Sequence, residues 1–246
     1  MMRFENRVAL ITGAGSGIGR EVVLRLQSEG ATVFGHDRDG DRLAETSEMA
    51  GGIATRIGDV TDPDECKATV AACVAAHGRL DVLGNVAGIA RSEHFLDVSV
   101  DDYRVMMAVN ADACFFFCQA AIPHLLEANG NIVNIASNAG VMGQAYTVAY
   151  CASKGAVVQL TRALAMEFVK TTLRVNAIAP GAVNTNLVRG FQLPPDVDFA
   201  LMAPYMGFRP MSEASEIAAL FAFLASDEAR SMTGAIVSID NGISVG

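Results

Sequence analysis

Seven short apolar runs separated by helical stretches leave this 246-residue chain few folds to adopt. The runs fall at 7–12, 31–36, 53–59, 81–86, 131–137, 173–179 and 235–239, and the helical patterns near 18–29, 40–49, 62–77, 101–128, 150–170 and 213–226. Strictly alternating strands and helices build an α/β fold. Its doubly wound, mostly parallel sheet carries right-handed crossovers and helices on both faces. The length suits one such domain, able to bury a core without disulfide or metal staples. Only the segment 187–210 breaks the rhythm, with Pro194-Pro195, Pro204 and Pro210. It is expected to be an insertion over the active site, in a single domain spanning 1–246.

The first turn of the pattern carries chemistry. Thr12-Gly13-Ala14-Gly15-Ser16-Gly17-Ile18-Gly19 lies between the apolar run Val8-Ala9-Leu10-Ile11 and the helical spacing Ile18, Val22, Val23, Leu26. A dinucleotide pyrophosphate needs such a turn, because backbone N–H groups approach it without a Cβ in the way and the helix N-terminus favours its charge. A second constellation lies further on. Tyr150 and Lys154 are four residues apart in a helical stretch, which stacks a phenol over an ammonium on one face. A free tyrosine titrates near pH ~10, and a neighbouring cation favours the phenolate, so the pair reads as a general base. Ser137 ends the fifth run, thirteen residues before Tyr150, where its hydroxyl is able to hydrogen-bond a substrate oxygen. Tyr146 is excluded as the base, since Tyr150 rather than a lysine stands four residues beyond it.

Taken together these residues resemble the short-chain dehydrogenase/reductase family over nearly the whole chain. The T-G-x-x-x-G-x-G loop matches Thr12 to Gly19, and Y-x-x-x-K matches Tyr150 and Lys154. Asp59-Val60, Asn85-Val86-Ala87-Gly88, Asn110 and Pro180-Gly181-Ala182-Val183-Asn184-Thr185 follow in the family's order. The resemblance implies a Rossmann fold and hydride transfer between a secondary alcohol or ketone and a nicotinamide dinucleotide. Tyr150 would be the acid/base. Lys154 would tune it and hold the nicotinamide ribose, Ser137 would orient the substrate oxygen, and Asn110 would hold a water relaying protons from Lys154. The cofactor is expected against Gly13, Gly15, Ser16, Gly17, Ile18, Gly19, Asp37, Arg38, Asp59, Val60, Asn85, Ala87, Gly88, Tyr150, Lys154, Pro180, Gly181, Val183 and Thr185. Three places depart from the family's commonest wording: Val86 stands for a second Asn, Ala136 for Ser, and Asp240-Asn241-Gly242 for D-G-G.

Asp37, about twenty residues beyond the glycine loop, would accept bonds from the adenosine ribose and repel a 2′-phosphate. Arg38 is a side chain suited to holding that phosphate or covering the adenine face. Ser16, where NADP-preferring relatives often carry a basic residue, tips the expectation to NAD over NADP. The rival oxidoreductase reading is an NADPH-dependent 3-oxoacyl-thioester reductase. A dinucleotide-binding protein without catalysis is opposed by the intact Asn110, Ser137, Tyr150 and Lys154. A sugar-nucleotide epimerase is opposed by the chain length and the glycine spacing.

The remaining features bound partners. A net charge of −9 without a basic cluster argues against nucleic acid or an anionic membrane. No uninterrupted apolar run reaches ~18 residues, so no membrane-spanning helix is expected, and the charged N-terminus predicts no signal peptide. Cys66, Cys73, Cys114, Cys118 and Cys151 have no paired zinc spacing; no metal is expected, and an odd count suits free thiols in a reducing, cytoplasmic setting. His36, His77, His94 and His124 read as surface or helix-end residues, with His94 near the active-site mouth. Phe115-Phe116-Phe117 reads as core and inter-subunit packing, and family members commonly pair the helices near 101–128 and 150–170 in homotetramers. The apolar content of 187–210, including Leu187, Phe191, Leu193, Phe199, Leu201, Met202, Tyr205 and Phe208, suggests a small-molecule substrate with a hydrophobic body.

Overall fold

The computed structural model describes residues 2–245. Seven parallel strands form one sheet in the order β3-β2-β1-β4-β5-β6-β7. They span β1 Val8–Thr12, β2 Thr32–Asp37, β3 Ala54–Ile57, β4 Val82–Asn85, β5 Asn131–Ile135, β6 Arg174–Pro180 and β7 Ile236–Ile239. The helices are α1 Gly17–Ser28, α2 Gly40–Met49, α3 Pro63–His77, α4 Val100–Met107, α5 Ala113–Ala128, α6 Val148–Glu167, α7 Asn186–Arg189, α8 Phe199–Met206 and α9 Ala214–Ala225. β1, β4 and β5 are buried along their whole length, as strands covered on both faces must be. The edge strand β3 alternates half-buried and exposed residues.

Two apolar layers cover the sheet. One packs Val22, Val23 and Leu26 of α1 with Ile217, Phe221 and Leu224 of α9. The other packs Cys66 and Val70 of α3, Phe117 and Leu125 of α5, and Val157 of α6. α9 ends where Arg174 donates to the carbonyls of Leu224, Ser226 and Ala229, so a half-buried guanidinium supplies partners missing at a helix C-terminus.

Several expected boundaries shift. The third strand stops at Ile57, and Asp59 and Val60 lie in the turn beyond it, where Asp59 accepts from the Thr61 N–H at 2.9 Å. The fifth stops at Ile135, two residues before Ser137. The single helix expected near 101–128 is divided by a wide π turn, Ala108–Asp112. Over residues 100–128 the helical stretch is also long and apolar enough to cross a bilayer, with mean hydropathy 1.6 in its most apolar window. Here Cys114, Phe117, Cys118, Ala121 and Leu125 are packed in the core instead.

His36 corrects the surface reading given to it above. It is fully buried on β2, set edge-on to Phe117 at 5.7 Å, with Nε2 3.6 Å from the Glu65 carboxylate. Strand alternation turns it inward, and burial lowers its pKa, with Glu65 opposing.

The strand register aligns the carboxyl ends: Thr12 lies beside His36, Asp37 beside Ile57, Asn85 beside Asn134, and Pro180 beside Ile239. Because β1 neighbours both β2 and β4, the crevice of a doubly wound sheet opens between their carboxyl ends.

Candidate active site

A cleft of about 420 Å³ occupies that crevice, lined by residues of the glycine loop, by Asp37 and Arg38, by Asp59 and Val60, and by Ala87, Gly88 and Thr185. Its floor is shaped for close approach. Gly13 has φ 67°, and a Cβ there would stand 2.8 Å from the Ala87 Cα. A Cβ on Gly19 would stand 1.9 Å from the Gly13 carbonyl oxygen. No side chain fits at either position, so the loop presents bare backbone at the start of α1, the anion-binding arrangement anticipated from sequence. Thr12 locks this floor to the next strand: its hydroxyl accepts from the N–H groups of Val86 and Ala87 at 3.0 and 3.1 Å. That role went unrecognised in the sequence, where Thr12 was only the first letter of a motif.

Asp37 stands at the far end of the cleft. One carboxylate oxygen accepts from the Gly15 N–H at 2.9 Å and the other from the Asp39 N–H at 3.0 Å. Arg42 lies 3.2 Å from Asp39; the Asp59 carboxyl is held below its ordinary value by the Thr61 N–H, with the Arg38 charge adding to the effect.

Not every expected cofactor residue turns a side chain to the cleft. The Asn85 amide points into the core and donates to Asn134 Oδ1 at 2.9 Å and to Cys118 Sγ. Val183 is buried and bridges to Ser212, and Gly181 lies against the Asp240 backbone. They place the cleft walls. Thr185, at the start of α7, brings its methyl against Gly17.

Tyr150 and Lys154 both lie on α6. Lys154 is 4 % exposed; its Nζ donates to the Ile135 carbonyl at 2.8 Å and stands 6.0 Å from the centre of the Tyr150 ring. Burial brings its pKa down to about 8, with Cys114 opposing. The Tyr150 phenol is raised by burial, with the Ser137 hydroxyl acting the other way. This departs from the simple expectation that the lysine pulls the phenol down. The ammonium donates to the Ile135 carbonyl and burial is the largest influence on the phenol.

Asn110 occupies the π turn and is 3 % exposed. Its Oδ1 accepts from Ile89 N–H at 2.8 Å, and its Nδ2 donates to Ile89 carbonyl and to Ser153 Oγ at 2.9 and 3.0 Å. Ser153 in turn donates to the Tyr150 carbonyl at 2.8 Å. The widened turn thus aims an amide that ties the β4 loop to α6, a known use of π turns near functional sites. Ser153 has no sequence signal beyond its place in Y-x-A-S-K. A Cβ on Gly88 would lie 3.2 Å from Asn110 Oδ1 and 3.4 Å from Lys154 Nζ, so the absent side chain leaves both groups open to one space.

Residues 186–209 arch above. Tyr146, left-handed at φ 64°, accepts from Asp198 N–H at 2.8 Å through its hydroxyl. His94 Nε2 meets the Pro195 carbonyl at 2.7 Å, and the Tyr205 hydroxyl donates to the Ala145 carbonyl at 2.7 Å. Met202 is buried, whereas Leu187, Leu193, Phe199, Leu201, Met206 and Phe208 are exposed. Leu187 lines the cleft, and much of the rest of the segment's apolar surface is left exposed.

The family model described as enoyl-(acyl carrier protein) reductase matches residues 13–244. Meso-2,3-butanediol dehydrogenase of Serratia marcescens is 37% identical over 244 residues, covering 98% of this chain and 96% of that protein. The 3-oxoacyl-acyl-carrier-protein reductase of Thermotoga maritima is 36% identical over 248 residues, covering 98% and 99%. In structure, a short chain dehydrogenase from Mycobacterium paratuberculosis bound to NAD matches with a TM-score of 0.92 at 32% identity, covering 99% of this chain and 100% of that one.

Proposed function

The chain belongs to the short-chain dehydrogenase/reductase family, and from that premise we propose that it interconverts a small secondary alcohol and its ketone with NAD(H), using Tyr150 as acid/base. One observation carries the reading: the Tyr150, Lys154 and Ser137 cluster adjoins a cleft whose floor has no room for a Cβ at Gly13 or Gly19 and whose far end holds a carboxylate. The glycine-rich turn Gly13 to Gly19, open at Gly13 and Gly19, fits a pyrophosphate, and Asp37 fits the ribose diol. When bound there, the dinucleotide accepts or supplies the hydride.

The protein's part is position and proton handling. Ser137 holds the substrate oxygen beside the phenol. Tyr150 takes the alcohol proton during oxidation and returns one during reduction. Lys154 fixes the ribose end of the cleft and steadies the phenolate, and Asn110 keeps the β4 loop and α6 in register. Residues 187–210 serve as a lid, hung from Tyr146, His94 and Ala145.

Assays of NAD and NADP with a panel of secondary alcohols, and of NADH and NADPH with ketones and 3-oxoacyl thioesters, test this directly. Turnover of secondary alcohols with NAD is expected; a better kcat/KM for NADPH with the thioesters would replace this reading with the reductase one. Asp37→Ala is expected to weaken NAD and narrow the ratio of kcat/KM for NAD over NADP, because it removes both an acceptor for the ribose and a charge that repels a 2′-phosphate. An unchanged ratio would remove Asp37 from the selection.

We also propose a homotetramer. Tyr103, Val105 and Phe115 on α4 and α5, and Met166 on α6, are large apolar side chains left exposed, on the helices that family members pair between subunits. Sedimentation at micromolar concentration is expected to give roughly four times the chain mass of 25.8 kDa; a monomer refutes it.

A further inference from the structure

Asp240-Asn241-Gly242, which departs from the family's commonest wording at its middle position, does more than end a strand. Asp240 follows β7 and is 5 % exposed. One of its carboxylate oxygens accepts from the Gly242 N–H at 3.1 Å and the other from the Ser244 N–H at 2.9 Å, which curls the C-terminal turn. The turn rests on the segment that places the cleft wall: the Gly181 N–H donates to the Ile239 carbonyl at 3.1 Å, and a Cβ on Gly181 would stand 3.0 Å from the Asp240 Cα.

Asn241 carries this turn to the lid. Its backbone is left-handed at φ 58°, and its Nδ2 donates to the Pro210 carbonyl at 2.8 Å and to Ser212 Oγ at 3.2 Å. A carbonyl only accepts, so the NH2 side of the amide must face Pro210. Ser212 is 4 % exposed and is zipped into the cleft wall: its N–H donates to the Ala182 carbonyl at 3.1 Å, and its carbonyl accepts from the Asn184 N–H at 2.9 Å. Between Ser212 and α8 runs a short hinge. Gly207 follows α8 at φ 71°, and a Cβ there would lie 3.0 Å from Ile243 Cγ1. The outgoing end of the lid thus meets the C-terminal turn at Gly207, by apolar contact, and at Pro210, through the Asn241 amide. The body of the lid is tied on the other side, by Asp198 to Tyr146 and by Tyr205 to Ala145.

We propose that Asn241 is a positioning residue for the substrate: its amide clamps Pro210 and Ser212 and so fixes the hinge through which α8 is held over the cleft. The inference rests on the reading of 187–210 as a lid. Asn241 acts through the angle at which residues 207–210 leave the cleft wall. A lid on a slack hinge spends less time closed, and apparent substrate affinity falls in proportion to the closed fraction. Asparagine suits the position because it tolerates a left-handed backbone and also carries a donor; glycine has only the first property.

Asn241→Gly and Asn241→Asp in the intact chain test the clamp. Both residues accept this backbone and neither glycine nor a carboxylate donates to Pro210, but only glycine adds backbone freedom. At saturating NAD, KM for a secondary alcohol is expected to rise about 3- to 10-fold in both variants, the worth of about one hydrogen bond, while kcat, NAD affinity and Tm stay near those of the wild type. Chymotrypsin is expected to cut faster in both variants after Phe208, which is fully exposed beside the hinge. An unchanged KM in both, or a rise in the glycine variant alone, overturns the clamp, the second outcome because backbone freedom and not the amide would then be responsible. A loss of Tm or of NAD affinity that accompanies the rise in KM shows a merely structural bond and overturns it as well. If the wild type turns over no alcohol or ketone, the alcohol–ketone reading fails by itself; the chymotrypsin rates then decide the clamp, and equal rates in wild type and variants overturn it.

Discussion

Tyr150→Phe is expected to lower turnover by at least ~100-fold, about 2.7 kcal/mol of transition-state stabilisation, while NAD affinity stays near that of the wild type. The ring remains and α6 keeps its packing, so only the titrating oxygen is lost. The pH profile separates this from a structural defect. Burial raises the phenol above its ordinary value, so alcohol oxidation by the wild type, which needs the phenolate as acceptor, is expected to climb as pH rises above neutral. In the variant that ascending limb disappears. Near-wild-type turnover in Tyr150→Phe would sink the acid/base assignment, and an unaltered limb would place the titration on another group.

Lys154→Met is expected to trade function for stability. Turnover falls by at least ~100-fold and NAD binds less tightly, since the ammonium both steadies the phenolate and holds the ribose. At pH 7, however, the variant unfolds at a higher temperature. Lys154 has a pKa of about 8 in the fold against an ordinary 10.5, so below pH 8 it is charged in both states and the fold bears the cost of burying that charge. Two and a half units correspond to roughly 3 kcal/mol. Loss of the bond to the Ile135 carbonyl returns about 1 kcal/mol, which leaves a net gain of roughly 2 kcal/mol, or about 4–8 °C in Tm at one protein concentration. The sign reverses the usual paired-lysine case. As pH rises from about 8 to 10.5 the folded protein sheds this proton before the unfolded chain does, the wild type recovers, and the difference closes. A variant less stable than the wild type at pH 7 would show that the bond to Ile135 outweighs desolvation.

The order of elements was legible in the sequence because a parallel sheet covered on both faces demands continuous apolar strands, and runs such as 7–12 and 131–137 have no other use. Local punctuation was legible too. Gly13 and Gly19 sit where contact with Ala87 and with the Gly13 carbonyl forbids a Cβ, and a glycine between strand and helix announces that need. Tyr150 and Lys154 were found by their spacing, since a helix makes neighbours of residues four apart, together with the glycine loop and Ser137 that give the pair a site to serve.

Whatever depends on residues distant in sequence was decided only by the tertiary structure. The sequence does not say that Asn110 sits in a widened turn bonded to Ile89 and Ser153, or that Asn85 turns inward to Asn134. Those choices follow from which strands become neighbours. His36 looked like a surface residue because a single polar residue in a strand carries no sign of which face it takes until the sheet is covered. The polarity of the phenol's surroundings belongs to the same class. By itself the sequence determined a doubly wound sheet from apolar runs alternating with helical stretches, a phosphate-sized turn from its glycines, and a Tyr–Lys pair from a spacing of four. Only the assembled fold decided that burial raises the Tyr150 phenol, that Lys154 spends a hydrogen bond on the Ile135 carbonyl, and that much of the apolar surface of 187–210 is left exposed, because burial and direction depend on every element packed around a residue.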